Sequence, residues 1–230
     1  MTHFAGKQEF TTDELAHVLH SYSPDSSRST ISWKINQLKK AGAIYQIGRG
    51  LYTFYYKPEF STELSLKSKR IYNRIKGVYA EDIVVWDTVQ LGKIYGDELT
   101  KYWVFVALNR KDLDLVFTEM LSFSKKVFVN PDKETAARYL IAQEEAIILT
   151  ALASETPFEE FGSYLCMSIE GILVNTLLEY ENILKPIGLD IHKLFTQAFS
   201  NYNVNKNRLL RYATRRDKKR EIIGLLKTIE

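Results

Sequence analysis

The chain has 230 residues, 45% of them hydrophobic, which is enough for one large core or two modest ones and so for one to three domains. No run approaches the roughly 18 apolar residues of a membrane span, and Met1-Thr2-His3-Phe4 lacks the basic and apolar regions of a signal peptide, so a soluble cytoplasmic protein without a membrane partner is expected. The net charge of +3 hides an uneven distribution: residues 26–57 and 64–80 contain no acid, residues 81–205 hold 10 Lys/Arg against 19 Asp/Glu, and the tail is basic again.

Phe10-Thr11-Thr12-Asp13-Glu14-Leu15 opens a helix, because Thr11 or Thr12 can cap its free N–H groups and early acids suit the positive end of the helix dipole. Leu15, Val18 and Leu19 form its apolar stripe. Pro24, with the serines and Asp25 around it, ends that helix. A second helix starts near residues 27–29 and runs to Ala41, with Ile31, Ile35 and Leu38 inward and Gly42 as its stop. Two helices joined by a tight polar turn make a helix-turn-helix, whose second helix enters the major groove. The segments 43–47 and 51–55 are rich in β-branched and aromatic residues and flank Gly48-Arg49-Gly50, which reads as a hairpin with an arginine at its tip. The two features together predict a winged helix-turn-helix over residues 1–57 whose wing reaches phosphates or the minor groove.

With its apolar face inward, the second helix leaves Arg28, Ser29, Ser32, Asn36 and the flanking Lys34, Gln37 and Lys40 as DNA-binding candidates, with Arg49 added from the wing. Arg, Asn and Gln can make bidentate contacts to base edges, whereas Lys and Ser usually hold phosphates. The alternatives are ordinary solvated helix residues or a winged helix that contacts only protein. Trp33 lies among these residues and is assigned to a core or an interface in preference to a base contact.

Residues 58–65 read as a linker within a basic segment, 58–80, whose helix spans residues 66–78. Beyond it, residues 81–230 read as an α/β domain with a helical C-terminus. Strands are expected at 83–86, 103–108, 126–129 and 146–150, with helices at 112–123 and 132–140 between them. Cys166, the single cysteine, sits in the apolar run Tyr164-Leu165-Cys166-Met167 and is read as a core residue, leaving no internal disulfide. Ser168 caps a helix carrying Ile169, Ile172, Leu173, Thr176 and Leu177 on one side, and helices follow at 191–202, 206–214 and 218–229. In the tail, Arg208, Arg211 and Arg215 share one face by their spacing and Arg216 adjoins them. This second basic surface could meet DNA, the acidic middle of its own chain or another copy, or simply face water.

The stretches Trp33-Lys34-Ile35-Asn36-Gln37-Leu38-Lys39-Lys40-Ala41-Gly42 and Ile47-Gly48-Arg49-Gly50-Leu51-Tyr52 resemble the N-terminal winged helix of the AbiEi family of abortive-infection antitoxins. Trp86-Asp87-Thr88, Phe128-Val129-Asn130-Pro131 and the tail Leu209-Leu210-Arg211-Tyr212-Ala213-Thr214-Arg215-Arg216 extend the resemblance, in the same order, over most of the chain. The resemblance implies an autorepressor that binds its own promoter and serves as the antitoxin of a toxin-antitoxin operon whose toxin is a nucleotidyltransferase. It does not extend to direct contact with that toxin. A protein-interaction module binding a partner enzyme through its C-terminal domain is the alternative.

Chemistry finds little support in the motifs. The only Asp-x-Asp, Asp112-Leu113-Asp114, falls at a helix start, where Asp is favoured as a cap. Asp87 ends a strand as a nuclease carboxylate would, but no Glu-x-Lys follows it. His3, His17, His20 and His192 are scattered, and a pair on one helix face without a third ligand is a weak metal site. No phosphate-cradling glycine loop occurs, so neither an enzyme nor a cofactor is expected.

Overall fold

The computed structural model describes Phe4, Lys7 and residues 9–229; the Met1-Thr2-His3 start, and with it His3, lies outside the described residues. Strand β1 (Phe10–Thr11) leads directly into α1 (Thr12–Tyr22), then α2 (Arg28–Lys40), β2 (Tyr45–Gly48) and β3 (Leu51–Thr53). Thr11 caps α1 through its hydroxyl, and Glu14 reaches back to the Thr11 N–H in a reciprocal capping box. Ser27 caps α2. The three strands form an antiparallel sheet in the order β1-β3-β2. Phe10, Leu15, Ile31, Ile35, Ile44 and Tyr52 close a small core between this sheet and the two helices.

The body is built on a six-stranded sheet. In chain order its elements are α3 (Leu66–Lys76), β4 (Val84–Asp87), α4 (Thr88–Tyr95), β5 (Tyr102–Leu108), α5 (Leu113–Leu121), β6 (Val127–Val129), a short α6 (Lys133–Thr135) continued by a π-turn, β7 (Glu145–Ala151), β8 (Phe158–Phe161) and β9 (Tyr164–Met167). Four helices close the chain: α7 (Ile169–Glu179), α8 (Ile191–Asn201), α9 (Lys206–Arg215) and α10 (Lys219–Ile229). The strand order is β6-β7-β5-β4-β9-β8, with β6, β7 and β5 parallel, β4 antiparallel to β5 and parallel to β9, and β8 antiparallel to β9.

Side-chain alternation along the strands explains the layering. On β5, Trp103, Phe105 and Ala107 pack with residues of α4 and α7–α10, whereas Val104, Val106 and Leu108 pack with α3 and α5. Both faces of the sheet are covered, so its central strands read as continuous apolar runs. The result is a mixed α/β protein with helices on either side of the large sheet. No helix among the described residues is long and apolar enough to cross a membrane.

Three expectations need correction. The segment 58–65 is no free linker: Phe60, Thr62 and Leu64 are buried, and the Gln90 amide donates to the Thr62 carbonyl. Its alternating apolar residues reach both cores of the body. Helix α7 is apolar on more than one side, because every residue from Ile169 to Thr176 is buried. Ser168 stands at its N-cap position but makes no cap bond, since its hydroxyl donates to Glu170. Helix α4 and the β8–β9 hairpin were not expected at all.

Candidate nucleic-acid interface

Helix α2 turns Ile31 and Ile35 into the small core, and the 3.6-residue period then fixes what faces outward. Arg28, Ser29, Ser32, Asn36, Gln37 and Lys40 are all exposed. Ser29 shares a hydrogen bond with the capping Ser27 at 2.8 Å, while Ser32, Asn36 and Gln37 make no side-chain bond to another described residue. No acid lies in the first turn, so the positive end of the helix dipole is not offset there. Arg28 and Lys40 form no ion pair with any described residue.

Lys34 departs from this group. It is half-buried and its ammonium points back to Ser26 at 3.4 Å, on the flank that leaves the exposed face. Lys39, not a candidate, donates to the Gln46 side chain at 2.6 Å and ties α2 to β2. Trp33 is not a core residue: it is 60% exposed, beside Ser29, Asn36 and Gln37 at helical spacings of three and four.

Arg49 sits at the tip of the β2–β3 hairpin and is exposed, with no ion pair to a described residue. Gly50 takes φ +72°, which the tight turn requires, and its carbonyl accepts from the Thr12 N–H at 2.9 Å. The tip is thus fastened to the start of α1. The module in turn rests on the body. Lys206 bonds Glu9 at 3.0 Å, Lys57 donates to the Phe199 carbonyl, and the Asn203 amide donates to the Gln46 carbonyl at 3.5 Å. A cleft of about 420 Å³ lies along this seam, with Tyr55, Tyr56, Lys57 and Phe199 among its walls.

The tail arginines are placed very differently. Arg208 donates to Glu159 at 3.1 Å and, through Nε, to Glu170, whose side chain is 1% exposed, at 2.8 Å. Burial opposes its charge, but Glu170 and Glu159 outweigh that and hold its pKa above the ordinary value. Arg211 and Arg215 both reach Glu155, at 3.3 and 2.6 Å, and Arg216 donates to the Ala151 carbonyl at 3.5 Å. Arg208, Arg211 and Arg215 thus each reach an acid from the middle of the same chain, Arg216 reaches a backbone carbonyl there, and Arg211 and Arg215 also stay more than half exposed.

Asp87 and Asp112, two of the carboxylates considered for catalysis, are held by structural bonds. Asp87 is fully buried: one oxygen caps α4 by accepting from the Gln90 N–H at 2.8 Å, and the other accepts from Ser65 and Ser68. Asp112 makes no cap bond and accepts instead from the Tyr79 hydroxyl at 2.9 Å. Burial, and then Asp112, push the Tyr79 pKa up to about 12. Cys166 is buried, and burial pushes its thiol up to about 11, which favours the neutral thiol over the thiolate at neutral pH. No group of three or more His, Cys, Asp or Glu placed to hold a metal ion occurs among the described residues.

Neither a curated protein nor a solved structure matches this sequence. The model of a family of unknown function, DUF6577, matches residues 30–230, which takes in most of α2, the hairpin and the whole body. The chain therefore belongs to that family.

Proposed function

We propose that this protein binds double-stranded DNA, with residues 9–57 acting as a winged helix-turn-helix: α2 enters the major groove and Arg49 on the hairpin holds phosphates or the minor groove. The observation that carries this reading is the exposed, acid-free face of α2, with Arg28, Ser29, Ser32, Asn36, Gln37 and Lys40 on it, and the exposed Arg49 at the hairpin tip. Base-reading and phosphate-holding side chains on one helix are what direct readout needs. The operator would be the protein's own promoter, making it an autorepressor, with the antitoxin role implied by the resemblance to abortive-infection antitoxins. The body acts without catalysis or cofactor, inside the cytoplasm.

The test is fluorescence anisotropy with a labelled duplex from upstream of the protein's own reading frame, in excess random-sequence DNA. Saturable binding is expected; its absence sinks the reading. Growth rescue on co-expression with the neighbouring gene product tests the antitoxin role separately, and no rescue would leave only a repressor. The edge strand β8 favours a second reading, since Phe158 and Phe161 are 46% and 40% exposed there. Such an edge suits a partner enzyme. Co-purification with that partner in high salt without DNA would support it.

A further inference from the structure

Tryptophan is costly to leave in water, yet Trp33 is 60% exposed at the middle of α2, while Trp86 and Trp103 are 2% and 0% exposed. Trp86 is stacked on Phe105 at 4.0 Å and the Trp103 indole N–H donates to the Gln143 carbonyl, so each has a packing role. Trp33 has no such partner among the described residues. Its helical neighbours are Ser29, Asn36 and Gln37, and the whole segment from residue 26 to 57 lacks an acid, which suits a polyanion better than an acidic or mixed protein surface.

We infer that Trp33 is a specificity-determining residue that packs against the 5-methyl group of a thymine in the major groove, between polar contacts made by Asn36 and Gln37. The inference rests on the DNA-binding reading above. The major groove displays only one apolar group, the thymine methyl, and an apolar side chain on a reading helix has that group as its partner. Trp33 thus selects for thymine at one step of the site, and the polar residues around it set the register.

Because the other two tryptophans are buried, acrylamide quenching of the native protein reports on Trp33. The probe is a duplex recovered by selection from random-sequence DNA, first shown by anisotropy to bind. Shielding of Trp33 from acrylamide on binding is expected. Replacing each thymine in turn by uracil, which lacks the methyl, should weaken wild-type binding about fourfold at one position, what one buried methyl contributes. Trp33→Ala should bind the thymine and uracil duplexes alike. A bound duplex that leaves Trp33 open to acrylamide, or a scan in which no position depends on Trp33, overturns the inference and spares the DNA-binding reading. Shielding of Trp33 with rising protein concentration in the absence of DNA also overturns it, assigning the residue to self-association. Failure of all selected duplexes to bind overturns both.

Discussion

Helices α2 and α9 carry similar runs of positive charge, and the fold treats them in opposite ways. Arg28 and Lys40 on α2, with Arg49 on the hairpin, have no acidic partner among the described residues. Arg208, Arg211 and Arg215 on α9 are matched by Glu170, Glu159 and Glu155, which come from α7, β8 and the turn before β8. A charge run in a sequence therefore says little about a binding surface until its tertiary neighbours are known. The acidic middle of the chain is in part the counter-charge of its basic tail, while Arg28, Lys40 and Arg49 are left with no ion pair among the described residues.

The largest effect expected from breaking this arrangement lies at Arg208. Arg208→Ala leaves the Glu170 carboxylate buried and without its cation, and loss of about 3 kcal/mol is expected by urea unfolding. The same change should leave duplex affinity untouched in folded protein. An equally stable variant would show that the pair is not a lock between α9 and the body.

Next comes Glu179, at the end of α7, where burial raises its pKa to about 7 and Arg216 only partly offsets this. The folded value exceeds the unfolded one, so the folded state holds the proton more tightly. Its stability contribution is full below about pH 4.5 and is lost as pH rises through about 7. Glu179→Gln should therefore match the wild type at pH 5 and be more stable at pH 8, by about 1–3 kcal/mol. Parallel stability curves across that range would contradict it.

A carboxylate placed on the α2 face tests the other half of the comparison. Ser32→Glu should weaken duplex binding about tenfold or more by repulsion from phosphates, with the unfolding midpoint unchanged because Ser32 is exposed. The smallest effect belongs to Glu155, which engages two exposed arginines. Glu155→Gln should leave the unfolding midpoint within error, since exposed pairs contribute little. It should also slightly strengthen non-specific DNA binding through the freed Arg211 and Arg215.

The N-terminal module was legible because its signals are local. The threonines and early acids at residues 11–14, the Pro24 break, Gly42 and the Gly48-Arg49-Gly50 tip each act within a few residues, and the structure sets α1, α2 and the hairpin where those signals put them. Strands β4, β5, β6 and β7 were legible as apolar runs for the same reason. Helix α4 was missed although Asp87 and Gln90 form a capping box readable three residues apart, because its start was absorbed into the strand before it. The β8–β9 hairpin was missed because Phe158-Glu159-Glu160-Phe161 is an edge strand with mostly polar or exposed faces, which lacks the apolar run of a central strand. The partners of the tail arginines lie 38 to 65 residues away in sequence, as in the Arg208–Glu170 and Arg216–Ala151 bonds, beyond any helical spacing rule. Trp33 illustrates the reverse difficulty: its type suggests burial, and only the packing of Ile31 and Ile35 against the small sheet turns it outward.

The most direct test of the central claim, that α2 and the hairpin tip are the surface left open for DNA, is the salt dependence of duplex binding. Wild-type affinity should fall linearly on a plot of log K against log salt concentration. In the Arg28→Ala, Arg49→Ala double variant the line should be lower, through the lost base contact of Arg28, and its slope shallower by roughly one, since the phosphate contact of Arg49 contributes about 0.9 to the slope. An unchanged slope and affinity in that variant, with the fold intact, would contradict the account.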